Sequence, residues 1–402
     1  MLSLKQSMEL AGTNLHHCLY PEDDYLPVCS VTIEPDKNAR RRKYWPEHNI
    51  GRWWDALLRL EAVTGFAIPA QMEDAMLRHL RSYLDNPLSI CVRSDKTPSR
   101  FDDHSQREIL LALAALARWR DNDWAIHAGH LMIESLDRFI RPDGAWDRAR
   151  MNEVVVAGER LIDVGDGTDS AKGAEDPPGV ELTASHGRMI EGLLEFYTAC
   201  GDPSALLLAQ RLAELHLEVS TRADGTVPET TKYIHTHSPF GALRGLLLFG
   251  KLTRQQEYVD RVAKTYARSV RTRVKQSGFI SHDWGSEQRG ETTSPGDAAQ
   301  LALALARLGY TEFLRRCRAH RARAHSAVTD YSTPGVEPRA ERRSNSRLRG
   351  VDGRRLRRHA HASPRRYLPT TDITAADLYT LCDVYAHITE QRVVGLIVSF
   401  HL

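Results

Sequence analysis

Apolar residues recur at helical spacing through most of the chain, and strand-type alternation is almost absent until the closing GLIVSFHL. A first amphipathic helix is predicted over residues 2–17. A Pro- and Asp-rich connection then leads to a pair of helices over 48–65 (HNIGRWWDALLRLEAVTG) and 69–84. The same unit recurs over 103–122 with 123–144, over 185–202 with 203–225, and over 237–255 with a helix that stops near Gly278. In each unit the first helix is apolar nearly all round, which marks it as buried, and a polar turn joins it to its partner. A fifth inner helix is expected near Pro295 with a partner over 311–323, and a last helix over 373–388. About twelve helices in six pairs predict an all-α (α/α)6 toroid in one domain, 1–402, with a short C-terminal strand.

The unit starts His48, His104, His186 and His237 are separated by 56, 82 and 51 residues, so only one interval is out of step. Its excess falls in the Gly- and Asp-rich stretch 152–179, read as a loop insertion over one face. Residues 315–366 break the helical pattern with sixteen arginines, no lysine and four acids. Since the whole chain carries a formal charge of only +2, everything else is acidic and offers no basic face to continue a nucleic-acid site. The segment reads as a solvated disordered loop or as the product of a frameshift in a GC-rich gene. The N-terminal residues lack the basic start and apolar centre of a signal peptide, and no apolar run is long enough to span a bilayer. Six scattered cysteines without a CxxC pair suit a reduced, cytoplasmic protein with neither a membrane nor a nucleic-acid partner.

In a helical toroid the loops before the inner helices gather at one end, so the residues opening those helices converge. That makes His48, His104, His186, His237 and Asp103 candidate substrate-binding groups, although a single histidine at a helix start is often a cap or a packing residue. The loop 278–297, GFISHDWGSEQRGETTSPGD, precedes the fifth inner helix and is dense in acids. Cleaving a glycosidic bond takes one group to protonate the leaving oxygen and a second to attack or to activate water, commonly two carboxylates. Glu291, Glu287 and Asp283 are the candidates for that work, with Trp54 and Trp284 as platforms for sugar faces. Asp297 reads equally well as a helix cap. No phosphate-binding loop, dinucleotide fingerprint or nucleophile elbow is present.

Four stretches carry a resemblance: HNIGRWWDALLRLEA, HSQREILLALAALARWRDN, SHGRMIEGLLEFYTACGD and GETTSPGDAAQLALALARLG. Together they resemble the helical barrel of the β-L-arabinofuranosidase-like glycoside hydrolases, family 127 and its relatives. The resemblance implies that His104, His186 and His237 line the substrate pocket and that Glu291 matches the glutamate of the family's Glu-Thr-Cys motif. It also implies zinc held by that glutamate and several cysteines, one of which is the nucleophile. Thr293 stands where the cysteine is expected and no Cys-Cys pair follows, so zinc enters only by resemblance and no cofactor is expected from the residues themselves. The function expected is a glycoside hydrolase acting on a carbohydrate at one end of the barrel. A sugar epimerase of similar shape and an inactive carbohydrate-binding protein are the alternatives.

Overall fold

Two kinds of helix alternate along the chain, and burial separates them. The computed structural model describes residues 3–27, 30–33, 39–42, 45–93, 100–101, 103–153, 155–156, 159–160, 163–164, 182–183, 185–275, 278–286, 293–316 and 370–393. Its helices are α1 (Leu4–His17), α2 (Pro46–Thr64), α3 (Ala70–Leu84), α4 (Asp103–Arg120), α5 (Asp123–Asp137), the short α6 (Arg148–Glu153), α7 (Met189–Cys200), α8 (Pro203–Val219), α9 (His237–Thr253), α10 (Gln256–Thr265), α11 (Thr293–Arg307) and α12 (Thr370–Val393). In α2 every position from Pro46 to Leu58 is buried, and in α4 every position from Ser105 to Ala117. By contrast α8 buries only Ala205, Leu208, Ala209, Leu212, Ala213, His216 and Leu217, a single stripe at i, i+3, i+4 spacing. The first kind is surrounded by other helices, and the second covers it from outside.

The inner helices close a ring. α2 packs on α4, α4 on α7, α7 on α9, α9 on α11, α11 on α12, and α12 returns to α2. The outer layer places α3 on α2, α5 on α4, α8 on α7, α10 on α9, and the 3-10 turn Thr311–Arg316 on α11. The sixth outer position is filled by α1, which packs on α12, so the first helix of the chain meets the last. That contact makes an (α/α)6 toroid and excludes an open solenoid.

Local chemistry sets the turns. Gly201 ends α7 at φ +77°, and Asp202 then accepts from the amides of Ser204 (2.8 Å) and Ala205 (3.4 Å), with Pro203 opening α8. Asn122 caps α5 in the same way through the Ala125 amide at 3.0 Å. Several predicted boundaries shift. The helix predicted to Gly144 ends at Asp137, where Ile140 bridges to Trp146 instead. The first turn of the third inner helix is 3-10, His186–Arg188. Short strands also appear before the inner helices: Ser30–Ile33 pairs antiparallel with Ala39–Arg42, and Arg100–Phe101 lies between Val92–Arg93 (antiparallel) and Asp163–Val164 (parallel). Two to four residues are too few to show alternation, which is why the pattern did not reveal them. The predicted C-terminal strand, most of the insertion and residues 317–366 of the Arg-rich stretch lie outside the described residues. Among the described residues no helix is long and apolar enough to cross a membrane.

Glycines allow the inner helices to approach. A Cβ on Gly51 would lie 2.7 Å from the Glu108 carbonyl carbon and oxygen, and one on Gly245 would lie 2.7 Å from Ile190 Cβ. Backbone cannot swing aside as a flexible side chain does. Gly51→Ala is therefore expected to push α2 off α4 and cost about 1–3 kcal/mol. A denaturant midpoint equal to that of the wild type would show that this contact relaxes freely.

Candidate active site at the mouth of the barrel

The helix starts do converge. The Trp45 ring stacks on His48 at 4.6 Å between centroids and tilts against His104 at 5.5 Å, while His48 and His104 are 6.3 Å apart. His104 Nδ1 is hydrogen-bonded to Ser185 Oγ, tying α4 to the turn before α7. On the opposite arc His235 lies 6.0 Å from His237 and 4.1 Å from His282, whose Nδ1 is 2.6 Å from Asp283 Oδ1. Burial, then the Arg188 guanidinium and the neighbouring rings of His48, His237 and His235, hold His104 well below the usual histidine pKa. His104 is thus within electrostatic reach of rings in both groups and is neutral there.

Below the histidines lies a buried network of arginines and carboxylates. Arg107 donates to Glu108 Oε1 (2.5 Å) and to Glu191 Oε2 (2.6 Å), and Arg244 grips Glu191 with two bonds of 2.9 and 3.1 Å. Arg188 Nη2 donates to Glu108 Oε1 at 2.9 Å, and Arg52 Nη2 lies 3.5 Å from the same oxygen. Arg244 also donates to Asp297. None of these side chains is more than 8% exposed. Five inner elements are thus joined across the axis, where four arginines and three carboxylates offset most of one another's burial cost.

His237 sits at the centre of this network, and its partners fix its tautomer. Arg52 and Arg188 approach its Nε2 at 2.6 and 2.9 Å, and a guanidinium can only donate. Nε2 therefore carries the lone pair and Nδ1 the proton, which is donated to Asp297 Oδ2. Burial, followed by the repulsion of Arg188, Arg52 and Arg244, holds His237 well below its usual pKa, consistent with a neutral ring. Burial pushes the Asp297 carboxyl up, against the pull of Arg244.

Of the residues expected from sequence, His48, His104 and His237 are brought together, and Asp103 opens α4 beside His104, half-buried. His186 is placed differently. It is fully buried, turned to His216 Nε2 at 2.8 Å and edge-on to Trp146 at 5.0 Å, and His216 passes the chain on to Ser220 Oγ at 2.7 Å. Trp54 is fully buried edge-on to Trp53 at 5.2 Å, and Trp284, 2% exposed, packs on Phe240 with Arg273 over its ring. Asp283 is partly exposed beside His282. Glu287 and Glu291 lie outside the described residues. Asp297 uses both oxygens on α9 side chains, so it ties two inner helices together and does not cap its own. Sequence reasoning missed Arg52, Arg107, Glu108, Arg188, Glu191 and Arg244. A signal existed: each is a charge inside an otherwise apolar helix, as in DHSQREILLALAAL, SHGRMIEGLL and FGALRGLLLF.

Glu291, the zinc glutamate implied by the resemblance, lies outside the described residues, and within them no zinc set assembles. Thr293, the residue in the cysteine's place, opens α11, and the described cysteines Cys18, Cys91, Cys200 and Cys382 form no disulfide. Among the described residues no group of three His, Cys, Asp or Glu is arranged to hold a metal.

Comparison with known proteins bears on the fold. No family profile matches the sequence, and no curated protein matches it. Solved structures do. An unsaturated glucuronyl hydrolase specific for heparin superposes with a TM-score of 0.57 at 12% identity, covering 97% of this chain and 98% of its own. The unsaturated glucuronyl hydrolase of Bacillus sp. GL1 gives 0.56 at 14%, with 98% of each chain covered. An inactive variant of an α-1,6-mannanase of Salegentibacter sp. HEL1_6, in complex with α-1,6-mannotriose, gives 0.56 at 11%, covering 95% of this chain and all of that one. The chain shares the six-hairpin toroid of these glycosidases. At such identities the likeness carries the architecture and leaves the chemistry to the site.

Proposed function

We propose that the protein is a carbohydrate-active hydrolase that cleaves a glycosidic bond at the mouth of the barrel. The observation that carries this reading is the convergence of His48, His104, His235, His237 and His282 at one end of a closed ring, above a buried arginine–carboxylate floor. A neutral imidazole such as that of His104 can both donate and accept, which suits sugar hydroxyls. Asp283, oriented by His282, would supply a carboxylate for acid/base or nucleophilic work, with Glu287 and Glu291 of the same loop as its partners. The structural neighbours, two unsaturated glucuronyl hydrolases and an α-1,6-mannanase in complex with mannotriose, support the class. Within it, the four sequence stretches favour the β-L-arabinofuranosidase-like group, in a branch that works without the cysteine.

The test is a panel of 4-nitrophenyl glycosides, furanosides included. Wild-type protein is expected to release nitrophenol from at least one, and Asp283→Asn to lose that activity. A second reading, sugar epimerase, is favoured by the His235–His282 pair at 4.1 Å, which could pass a proton across a sugar carbon. Deuterium uptake from solvent into a free sugar, with every aryl glycoside inert, would decide for the epimerase.

A further inference from the structure

The floor of the site holds a fork that is only half closed. Arg188 is 1% exposed and Glu108 1%, and they share one hydrogen bond, Nη2 to Oε1 at 2.9 Å. The other arms of both groups are buried without a protein partner: Arg188 Nε and Nη1, and Glu108 Oε2. Three N–H donors on one guanidinium and one carboxylate oxygen are thus left unsatisfied in the interior, where each would cost on the order of 1–3 kcal/mol. A single ligand satisfies both if it offers an acceptor to Arg188 and, on a neighbouring atom, a donor to Glu108.

Charge decides which acceptor. Burial, then the repulsion of Arg107 and also of Arg52 and Arg244, opposed only by Glu108, pushes the Arg188 guanidinium down to about 9. Glu108 Oε1 is already shared among Arg107, Arg52 and Arg188. The guanidinium is under-compensated, so an anionic acceptor is favoured over a neutral one, and planar donors on arginine suit a carboxylate. The adjoining Arg52, His237 and Arg244 keep 7%, 5% and 8% exposure, against 1% for Arg188. Gly241 makes room for the Arg188 side chain itself: a Cβ there would meet Arg188 Cγ at 2.6 Å.

We propose that Arg188 and Glu108 form a subsite for a uronosyl unit, Arg188 receiving the sugar carboxylate and Glu108 Oε2 the adjacent hydroxyl. The assignment rests on the carbohydrate reading above and adds to it an acidic sugar at this subsite, next to the glycosyl unit that is cleaved. His237 and Asp297 are then positioning residues, fixing Arg188 and Arg52 through the imidazole.

The experiment is calorimetric binding to the full chain of D-glucuronate against D-glucose, and of D-galacturonate against D-galactose, with acetate as a simple-anion control. At least one uronate is expected to bind about tenfold more tightly than its neutral parent. Arg188→Gln is expected to bring that pair to within about twofold of each other. Equal affinity of both acid and neutral sugars for the wild type overturns the subsite, a comparison that needs no variant. A preference retained in Arg188→Gln also overturns it. Binding of acetate with no sugar bound overturns the uronosyl assignment and leaves an anion site only. If no sugar binds and no glycoside is cleaved, the carbohydrate reading itself fails.

Discussion

Replacing Glu191 by glutamine is expected to lower the free energy of unfolding by about 3–5 kcal/mol, the cost of breaking a buried ion pair from one side. Glu191 is 3% exposed and takes both Arg107 and Arg244. The substitution keeps the shape and removes the charge, so two guanidiniums remain on the barrel axis with one counter-ion fewer. A denaturant titration of wild type and variant checks it, and a loss under about 1 kcal/mol would mean that the two arginines find other partners or water.

The same pair gives a pH signature with a definite sign. Burial by itself would raise the Glu191 carboxyl, but Arg107 and Arg244 overcome it and hold the group at about 2 in the folded chain, against 4.5 ordinarily. A carboxyl depressed by folding contributes stability above its unfolded pKa, and that contribution is lost as pH falls toward the folded value. The stability difference between wild type and Glu191→Gln should therefore be constant above about pH 5 and close between about pH 4.5 and pH 2. A gap that narrows toward alkaline pH would contradict the assignment.

Asp297→Asn is expected to reduce kcat/KM on whichever aryl glycoside proves active by about 10²–10⁴-fold. The aspartate accepts on both oxygens, from Arg244 and from His237 Nδ1. An asparagine has one acceptor and one donor, so whichever way its amide turns, one of those two N–H groups faces an N–H. If the amide nitrogen faces His237, the ring must move its proton to Nε2, where Arg52 and Arg188 also donate. The arginines lose their anchor at the floor of the mouth. Full activity in Asp297→Asn would make Asp297 a tie between α9 and α11 and nothing more.

The helical periods, the Gly-Asp and Asn caps and the all-round apolar helices are local properties, and they made the six pairs legible from the chain alone. They also placed His48, His104 and His237 correctly at one end, because consecutive antiparallel pairs must start their inner helices on the same side. Direction was not legible. His186 and His104 stand in the same kind of sequence, yet one turns outward to His216 and the other faces the histidine cluster, since the 3-10 turn His186–Arg188 rotates the first. Nor could sequence tell Trp54 as core from Trp54 as platform, because an aromatic at helical spacing suits either.

What the sequence by itself determined is the class of helix at each position and hence the toroid, through hydrophobic spacing that acts over one or two turns. What only the tertiary structure decided is the floor of the site. Arg52, Glu108, Arg188, Glu191, Arg244 and Asp297 come from five inner helices, Arg188 from the 3-10 first turn of the third, and are separated by up to 245 positions in the chain. Each alone is an anomalous charge in an apolar run. They become a network only when the ring closes, since a buried charge is tolerable only where another helix brings its partner within a few ångströms.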